Sequence, residues 1–565
     1  MAYCNVNILY GTTAAQNINI VVGLPLNSVD GGTGGLQGAW NGRTQGLGGG
    51  VCAGNTTVTA ATDTGYVGSG TDGGHGGIAN DVLCANSFNA DGTFSKEYIN
   101  DFFRVGVVQE VLFSKAVAKS YYGMKPAYNY WNGCSTGGRQ GYQVAQTIGN
   151  EIDGVLANAP AINWQRFATA QIWGEVAIKD LVHAQDVGPT AAISNAQFAY
   201  ATSQAVAACD AADGVTDGII DDPRICTYSA AHDRKAICVA NGGTSSDANC
   251  LTPKQAQAID LIWDGPRHSN GNRIWYPLDR GTDLSSLNGR PIFLAASPPF
   301  VSPTSPLVGQ DPLLAWNENN IAFDWHTVTM FGAGGTKSYA QLAMDGSTVP
   351  FFGPSFSLAD DVGTDGNLDD FRKHGGKMIT FVGGNDQLIH PRGVINYYRL
   401  MASRYSRIGA FFDEVLDRDD GHDNGIGQVP DFRNLQSFYR LFRAPGVGHC
   451  GGGTGPQPQN LFDALVNWVE KGIEPKQIMA QGGAVPTRTR PLCPYPTTAI
   501  YKGSGSTDVA TNFHCGGNLE TFRTVCNDVV IKYKHENSSA QLDFRGTGVN
   551  RNICGLLGVS VSAQQ

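Results

Sequence analysis

Apolar residues between Glu97 and Gly123, in EYINDFFRVGVVQEVLFSKAVAKSYYG, recur at helical spacing, and Gly123 supplies a stop. The next block has another period: AYNYW (127–131) is alternating and aromatic, which predicts a strand. A run of very small side chains, NGCSTGG (132–138), parts it from a small-residue helix, RQGYQVAQTIGN, and GVLANAPA (154–161) reads as another strand. Strand, tight turn, helix and strand make a β-α-β unit, which predicts a parallel sheet with helices on its faces. Upstream, Ile18 to Leu24 reads as a strand, and TQGLGGGVCAG (44–54) as a glycine-rich loop.

The pattern is lost near residue 165. About 200 residues rich in Pro, Gly, Asp and Trp show no repeated alternation of strand and helix and read as an inserted domain over 165–365. Alternation resumes with KMITFVGGND (377–386), a strand ending in glycines and an acid, and a helix from Gly393 to Tyr405. FYRLFRAPGVGHC (438–450) is again strand-like, and NLFDALVNWVEKG (460–472) places Leu461, Ala464, Leu465, Trp468 and Val469 on one helix face. The expected architecture is an α/β domain with a mostly parallel central sheet, formed discontinuously by 1–164 and 366–565.

Composition narrows the partners. With 565 residues and 41% hydrophobic content the chain buries a large core and exceeds one ordinary compact domain. No run approaches the roughly 18 apolar residues that a membrane helix needs, and the start, MAYCNVNILYG, is not a signal peptide. A net charge of −10 argues against nucleic acid and anionic lipid as partners. Thirteen cysteines without a CxxC pair favour disulfides over zinc. The expectation is a secreted protein, a monomer or homodimer, whose mature chain carries an added Met1.

Gly133-Cys134-Ser135-Thr136-Gly137 is G-x-S-x-G, the pattern of a serine held on a tight turn between strand and helix. The amide of Thr136 then opens a helix, where unpaired N–H groups face a developing oxyanion. A serine hydroxyl needs a base and the base an orienting acid. Asp386 ends a strand and His449 follows the next one, giving the order Ser, Asp, His. Asp413 and Asp417 compete as acids, and His390 and His422 lie less favourably than His449.

Cys134 adjoins the serine, and Cys450 adjoins the histidine. If Ser135 meets His449, the two cysteines come within the roughly 4.4 to 6.8 Å between Cα atoms that a disulfide permits. Serine is then the nucleophile and cysteine its tether.

GCSTGGRQG, the Asp after a strand-Gly-Gly turn and the His449-Cys450 pair resemble the tannase and feruloyl esterase family, with supporting matches from WNGR (40–43) to LCPYP (492–496). The resemblance implies an α/β-hydrolase core, a large lid formed by the insert, and serine-esterase action on aromatic acid esters. It implies a second oxyanion amide from the glycine loop, with Gly49 first and Gly48 or Gly50 as alternatives. Asp210, Asp213 and Asp217 crowd one loop with glycines at 214 and 218, a pattern suited to a hard cation. The family implies structural Ca2+ there, with main-chain oxygens of Val215 and Ile219. Implied disulfides are Cys209 with Cys226, Cys238 with Cys250, Cys493 with Cys515 and, more loosely, Cys4 with Cys52. Cys526 with Cys554 is a guess that leaves Cys84 unpaired.

A plant cell-wall hydroxycinnamate or small phenolic ester is the first substrate expectation, a galloyl ester the second and a terephthalate monoester the third. Lid aromatics such as Trp164, Trp173, Trp316, Phe323 and Trp325 are candidates for setting that choice. The alternative of another class is a catalytically idle, calcium-stabilised extracellular binding module.

Overall fold

Eight strands form the central sheet of the computed structural model: β1 (Tyr3–Tyr10), β2 (Ile18–Pro25), β3 (Arg43–Leu47), β4 (Val67–Thr71), β5 (Tyr128–Cys134), β6 (Gly154–Asn158), β7 (Lys377–Gly383) and β8 (Tyr439–Ala444). Their order is β1-β2-β4-β3-β5-β6-β7-β8. β2 runs antiparallel to both neighbours, and β4 through β8 are parallel. The structure describes residues 2–11, 17–26, 30–31, 40–50, 54–74, 97, 100–163, 173–174, 177–178, 180–182, 193–266, 275–285, 366–406, 431–519, 532–534 and 541–543.

The helices are α1 (Gly106–Tyr122), α2 (Thr136–Thr147), α3 (Asn195–Cys209), α4 (Pro253–Asp264), α5 (Pro391–Arg404) and α6 (Leu461–Lys471). α1 ends as the pattern predicts, with Gly123 left-handed at φ 75°, although Asp101–Val105 ahead of it is a π-helical turn. Burial on both faces explains why β6 and β7 read as apolar runs. Trp131, Val155, Met378 and Tyr439 point to the side of α2 and α5, while Tyr130, Leu156, Ile379 and Phe442 meet Leu461, Leu465 and Trp468 of α6. The parallel α/β sheet expected from the sequence is therefore present.

Residues between 173 and 284 build a cluster of their own around Trp173, Phe198, Leu251, Ile259 and Trp263. α3 and α4 each begin with a capping box, Ser194 with Gln197 and Thr252 with Gln255, which satisfies two backbone amides at each helix start. Trp173 is core here, donating its indole N–H to the Leu261 carbonyl at 2.7 Å. Trp164, Trp316, Phe323 and Trp325 lie outside the described residues.

Cys4 corrects one expectation. It is a free thiol, packed with Val6, Ile8 and Tyr10 on the inner side of β1. Cys4 pairs with Leu24, Gly23 with Gly68, and Val67 with Thr44, so Cys4 is level with the start of β3. Cys52 follows the other end of β3 and lies outside the described residues. The strand order puts β2 and β4 between β1 and β3. Cys84, Cys526 and Cys554 lie outside the described residues as well.

Candidate active site

Ser135 sits between the last residue of β5 and the first of α2, with φ 64° and ψ −123°. A residue with a Cβ adopts this region only where the surroundings impose it. Here the imposition is backbone on both sides: the Ser135 N–H donates to the Asn158 carbonyl at 3.0 Å, and the Ser135 carbonyl accepts from Ala161 and Arg139, each at 3.0 Å. The flanking glycines serve close approach. A Cβ on Gly133 would lie 2.4 Å from the Gly137 oxygen, and one on Gly48 would lie 2.4 Å from the Gly137 Cα. The glycine loop therefore packs directly against the turn that carries the serine, and the helix starts at Thr136, as the G-x-S-x-G reading expects and three residues ahead of the RQGYQVAQTIGN pattern.

β7 delivers the acid. Asp386 is fully buried, and its Oδ1 accepts the N–H groups of Leu388 at 2.9 Å and Ile389 at 2.8 Å. The imidazole Nδ1 of His449 lies 3.0 Å from Asp386 Oδ2 and 3.2 Å from Oδ1. Two residues that sequence reasoning passed over hold the loops together. Gln387 Oε1 accepts the His449 N–H at 3.2 Å, and Asn385 Oδ1 accepts the Gly446 N–H at 3.3 Å.

A disulfide joins Cys134 to Cys450 with 5.9 Å between Cα atoms, so Ser135 and His449 are neighbours through their neighbours. It closes 316 residues of chain, for which loop entropy gives at most about 5 to 6 kcal/mol. The polar neighbour of His449 Nε2 among the described residues is Cys450 Sγ at 3.6 Å, and the Ser135 hydroxyl makes no hydrogen bond there. Such serine–histidine contacts commonly close only when substrate binds.

The competing histidine has another task. His390 Nδ1 donates to the Tyr276 carbonyl at 2.8 Å, and burial pushes its pKa down to about 4, so it stays neutral. Asp413, Asp417 and His422 lie outside the described residues.

The oxyanion expectation for Gly49 changes. Its N–H donates to Gln140 Oε1 at 2.8 Å, and the Gly48 N–H donates to the Asn132 carbonyl at 3.0 Å. No described residue lies within 4 Å of where a Cβ on Gly50 would stand, and its N–H has no acceptor among the described residues, so of the three glycines it has the amide to offer. The Thr136 amide opens α2 beside the serine.

The acidic loop is bracketed by the Cys209–Cys226 disulfide and turned by Gly214 and Gly218 at φ 93° and 84°. Asp210 accepts the N–H groups of Asp217, Gly218 and Ile219 at 3.0 to 3.2 Å; Asp213 accepts those of Val215 and Asp221 at 3.1 and 2.7 Å. Asp217 pairs with Arg490 and lies 3.6 Å from Arg488, yet its Oδ1 is buried without a hydrogen-bond partner. Burial raises the Asp213 and Asp217 carboxyls and pushes Asp221 up to about 7, where Asp213 and Asp217 add like-charge repulsion. Among the described residues no three acidic, histidine or cysteine side chains close on one point as they stand. The donors are nonetheless all oxygen, and the orphaned Asp217 Oδ1 is the kind of atom a hard cation satisfies.

Disulfides also join Cys238 to Cys250 and Cys493 to Cys515, as the resemblance implied. Residues 36–516 match the family model described as tannase and feruloyl esterase. A probable feruloyl esterase of Arthroderma benhamiae is 30% identical over 85% of this chain and 81% of its own. Mono(2-hydroxyethyl) terephthalate hydrolase of Piscinibacter sakaiensis is 28% identical over 86% of this chain and 78% of its own. The solved tannin acyl hydrolase from Aspergillus niger shares the fold at a TM-score of 0.68 with 22% identity, over 92% of this chain and 87% of that one. The chain belongs to the tannase and feruloyl esterase family and is a carboxylic ester hydrolase.

Proposed function

We propose that the protein cleaves aromatic carboxylic esters through an acyl-enzyme on Ser135, and that a hydroxycinnamate ester is its substrate. The observation that carries this is the covalent bridge from the residue before Ser135 to the residue after His449, with His449 seated on buried Asp386. His449 Nε2 takes the Ser135 proton as Oγ bonds to the ester carbonyl carbon, and the carbonyl oxygen becomes an anion. The amides of Thr136 and Gly50 meet that charge. The C–O bond to the alcohol then breaks, and the alcohol leaves with the proton from His449. Water adds to the acyl-enzyme by the same route in reverse and releases the acid. The preference for hydroxycinnamate rests on the similarity to a probable feruloyl esterase.

The test is a comparison of initial rates on methyl ferulate, methyl gallate and mono(2-hydroxyethyl) terephthalate, with fluorophosphonate labelling beside it. We expect methyl ferulate to be fastest and Ser135 to carry the label. A rate on gallate or terephthalate ten times that on ferulate reassigns the substrate. Failure of Ser135 to label removes the mechanism.

The reading extends to residues 165–365 as a lid over the site and to secretion, which the four disulfides of the described residues support. It also places structural Ca2+ on Asp210, Asp213 and Asp217 with the carbonyls of Val215 and Ile219. A site filled at a hundredfold over its Kd adds about 2.7 kcal/mol, a few degrees in Tm for a chain of this size. Chelation is expected to lower Tm by that much and added Ca2+ to restore it, and Asp213→Asn is expected to lose the response. A Tm indifferent to chelator and Ca2+ alike would count against the site.

A further inference from the structure

Gly48, Gly49 and Gly50 have no side chains with which to anchor themselves, and glycine is the residue with the most backbone freedom to lose. What fixes it comes from elsewhere. Gln140, just over one turn into α2 from Ser135, is 1% exposed and accepts the Gly49 N–H on Oε1 at 2.8 Å. No step of the ester chemistry uses this side chain. Its Nε2 is buried and without a hydrogen-bond partner among the described residues, so burial of the amide is justified there by the Gly49 bond alone. On the near side, Gly48 is already committed by the bond to Asn132 and by its contact with Gly137. The peptide plane joining residues 48 and 49 is therefore held at the Gly48 Cα by the packing on Gly137, at the Gly49 N–H by Gln140 and, at 3.5 Å, at the Gly48 carbonyl by Asn55 Nδ2. Because that plane is rigid, the direction of the Gly50 N–H depends only on the φ and ψ of Gly49.

We propose that Gln140 is a positioning residue of the oxyanion hole: it holds the glycine loop where the Gly50 amide meets the charge developing on the ester oxygen. The proposal rests on the serine-esterase reading of Ser135. It places one helix in charge of both halves of the hole, since α2 supplies the Thr136 amide from its first residue and sets the Gly50 amide through Gln140.

Two variants of the full-length enzyme test it. Gln140→Met keeps length and volume and removes the acceptor, whereas Gln140→Glu keeps an oxygen in the same place. The readouts are kcat and KM on methyl ferulate and affinity for two probes, an aryl trifluoromethyl ketone and ferulic acid. The ketone forms a tetrahedral adduct, with a bond from Ser135 Oγ to its carbonyl carbon, the Oγ proton passing to His449 and the charge on the former carbonyl oxygen. Ferulic acid keeps a planar carboxylate and forms no tetrahedral adduct with Ser135.

For Q140M we expect kcat to fall about 10- to 100-fold, less than outright loss of a donor, with KM within about twofold. Ketone affinity is expected to fall by the same factor while ferulic acid binding is unchanged, and Q140E is expected to recover most of the loss. If Q140M does not fold, Gln140→Asn, which draws the acceptor back by one methylene, is expected to give the same split. Unchanged kcat overturns the proposal. So does a lower kcat with unaltered ketone affinity, or a parallel loss of ferulic acid binding. Failure of the esterase reading looks different, because fluorophosphonate would then not label Ser135 in the wild type, or the Ser135→Ala variant would turn over the ester.

Discussion

Replacing Ser135 with alanine is expected to lower kcat about a millionfold, leaving only the roughly 10³- to 10⁴-fold over water that the oxyanion donors and substrate binding supply without a nucleophile, and to abolish fluorophosphonate labelling. The fold survives because none of the contacts that hold the turn uses the hydroxyl. The Ser135 N–H and carbonyl bonds to Asn158, Ala161 and Arg139 are made by backbone, and the Cys134–Cys450 bridge does not involve the serine. A second substitution separates chemistry from conformation. At φ 64° any residue with a Cβ is strained, so Ser135→Gly is expected to be equally inactive yet about 1 kcal/mol more stable than Ser135→Ala. Ester hydrolysis and denaturant unfolding of the two variants check both statements. Substantial turnover by either would show that another group is the nucleophile.

The elbow was legible in sequence because its requirements are local. A serine between glycines, a strand before and a helix after all lie within about twenty residues, and each leaves a pattern. Asp386 and His449 were legible for a related reason, since each closely follows a stretch that reads as a strand, KMITFVG before the acid and YRLFRA before the histidine. β3 and β4 left little trace. RTQGL and VGSGT are polar and glycine-rich, yet almost wholly buried. Their polar atoms are satisfied by partners far along the chain, Thr44 by Asn129 at 2.9 Å and Ser69 by Glu110 at 3.1 Å. A Cβ at Gly46 would run into Trp131 at 2.7 Å, so the strand must be small there to admit the indole. No period of hydrophobicity signals such a strand.

The misplaced expectations have the same origin. Cysteine spacing says nothing about which end of a sheet a residue occupies, and the strand register puts Cys4 at the end away from the glycine loop. Among three adjacent glycines, the sequence cannot show which amide points inward. That depends on Gln140 and Asn132, whose side chain and carbonyl take two of the three.

Asp386→Asn is expected to lower kcat roughly ten-thousandfold with KM little changed, and the reason lies in how its two oxygens are used. Oδ1 accepts two backbone N–H groups, from Leu388 and Ile389, which only an oxygen can do. An asparagine therefore keeps its oxygen there and turns its NH2 toward His449 Nδ1, 3.0 Å from where Oδ2 now stands. Two donors cannot face each other. The imidazole must present a bare Nδ1 to the amide, which moves its proton to Nε2, the atom that has to receive the proton of Ser135. Loop geometry is retained, since the Gln387 contact to the His449 backbone and the bridge from Cys450 to Cys134 do not depend on the carboxylate. Unaltered substrate binding with lost turnover is the signature of a wrong tautomer in a correctly built site. An Asp386→Asn enzyme with more than a tenth of the wild-type kcat would instead mean that His449 takes its orientation from another acid, and Asp413 and Asp417 would be the next to replace.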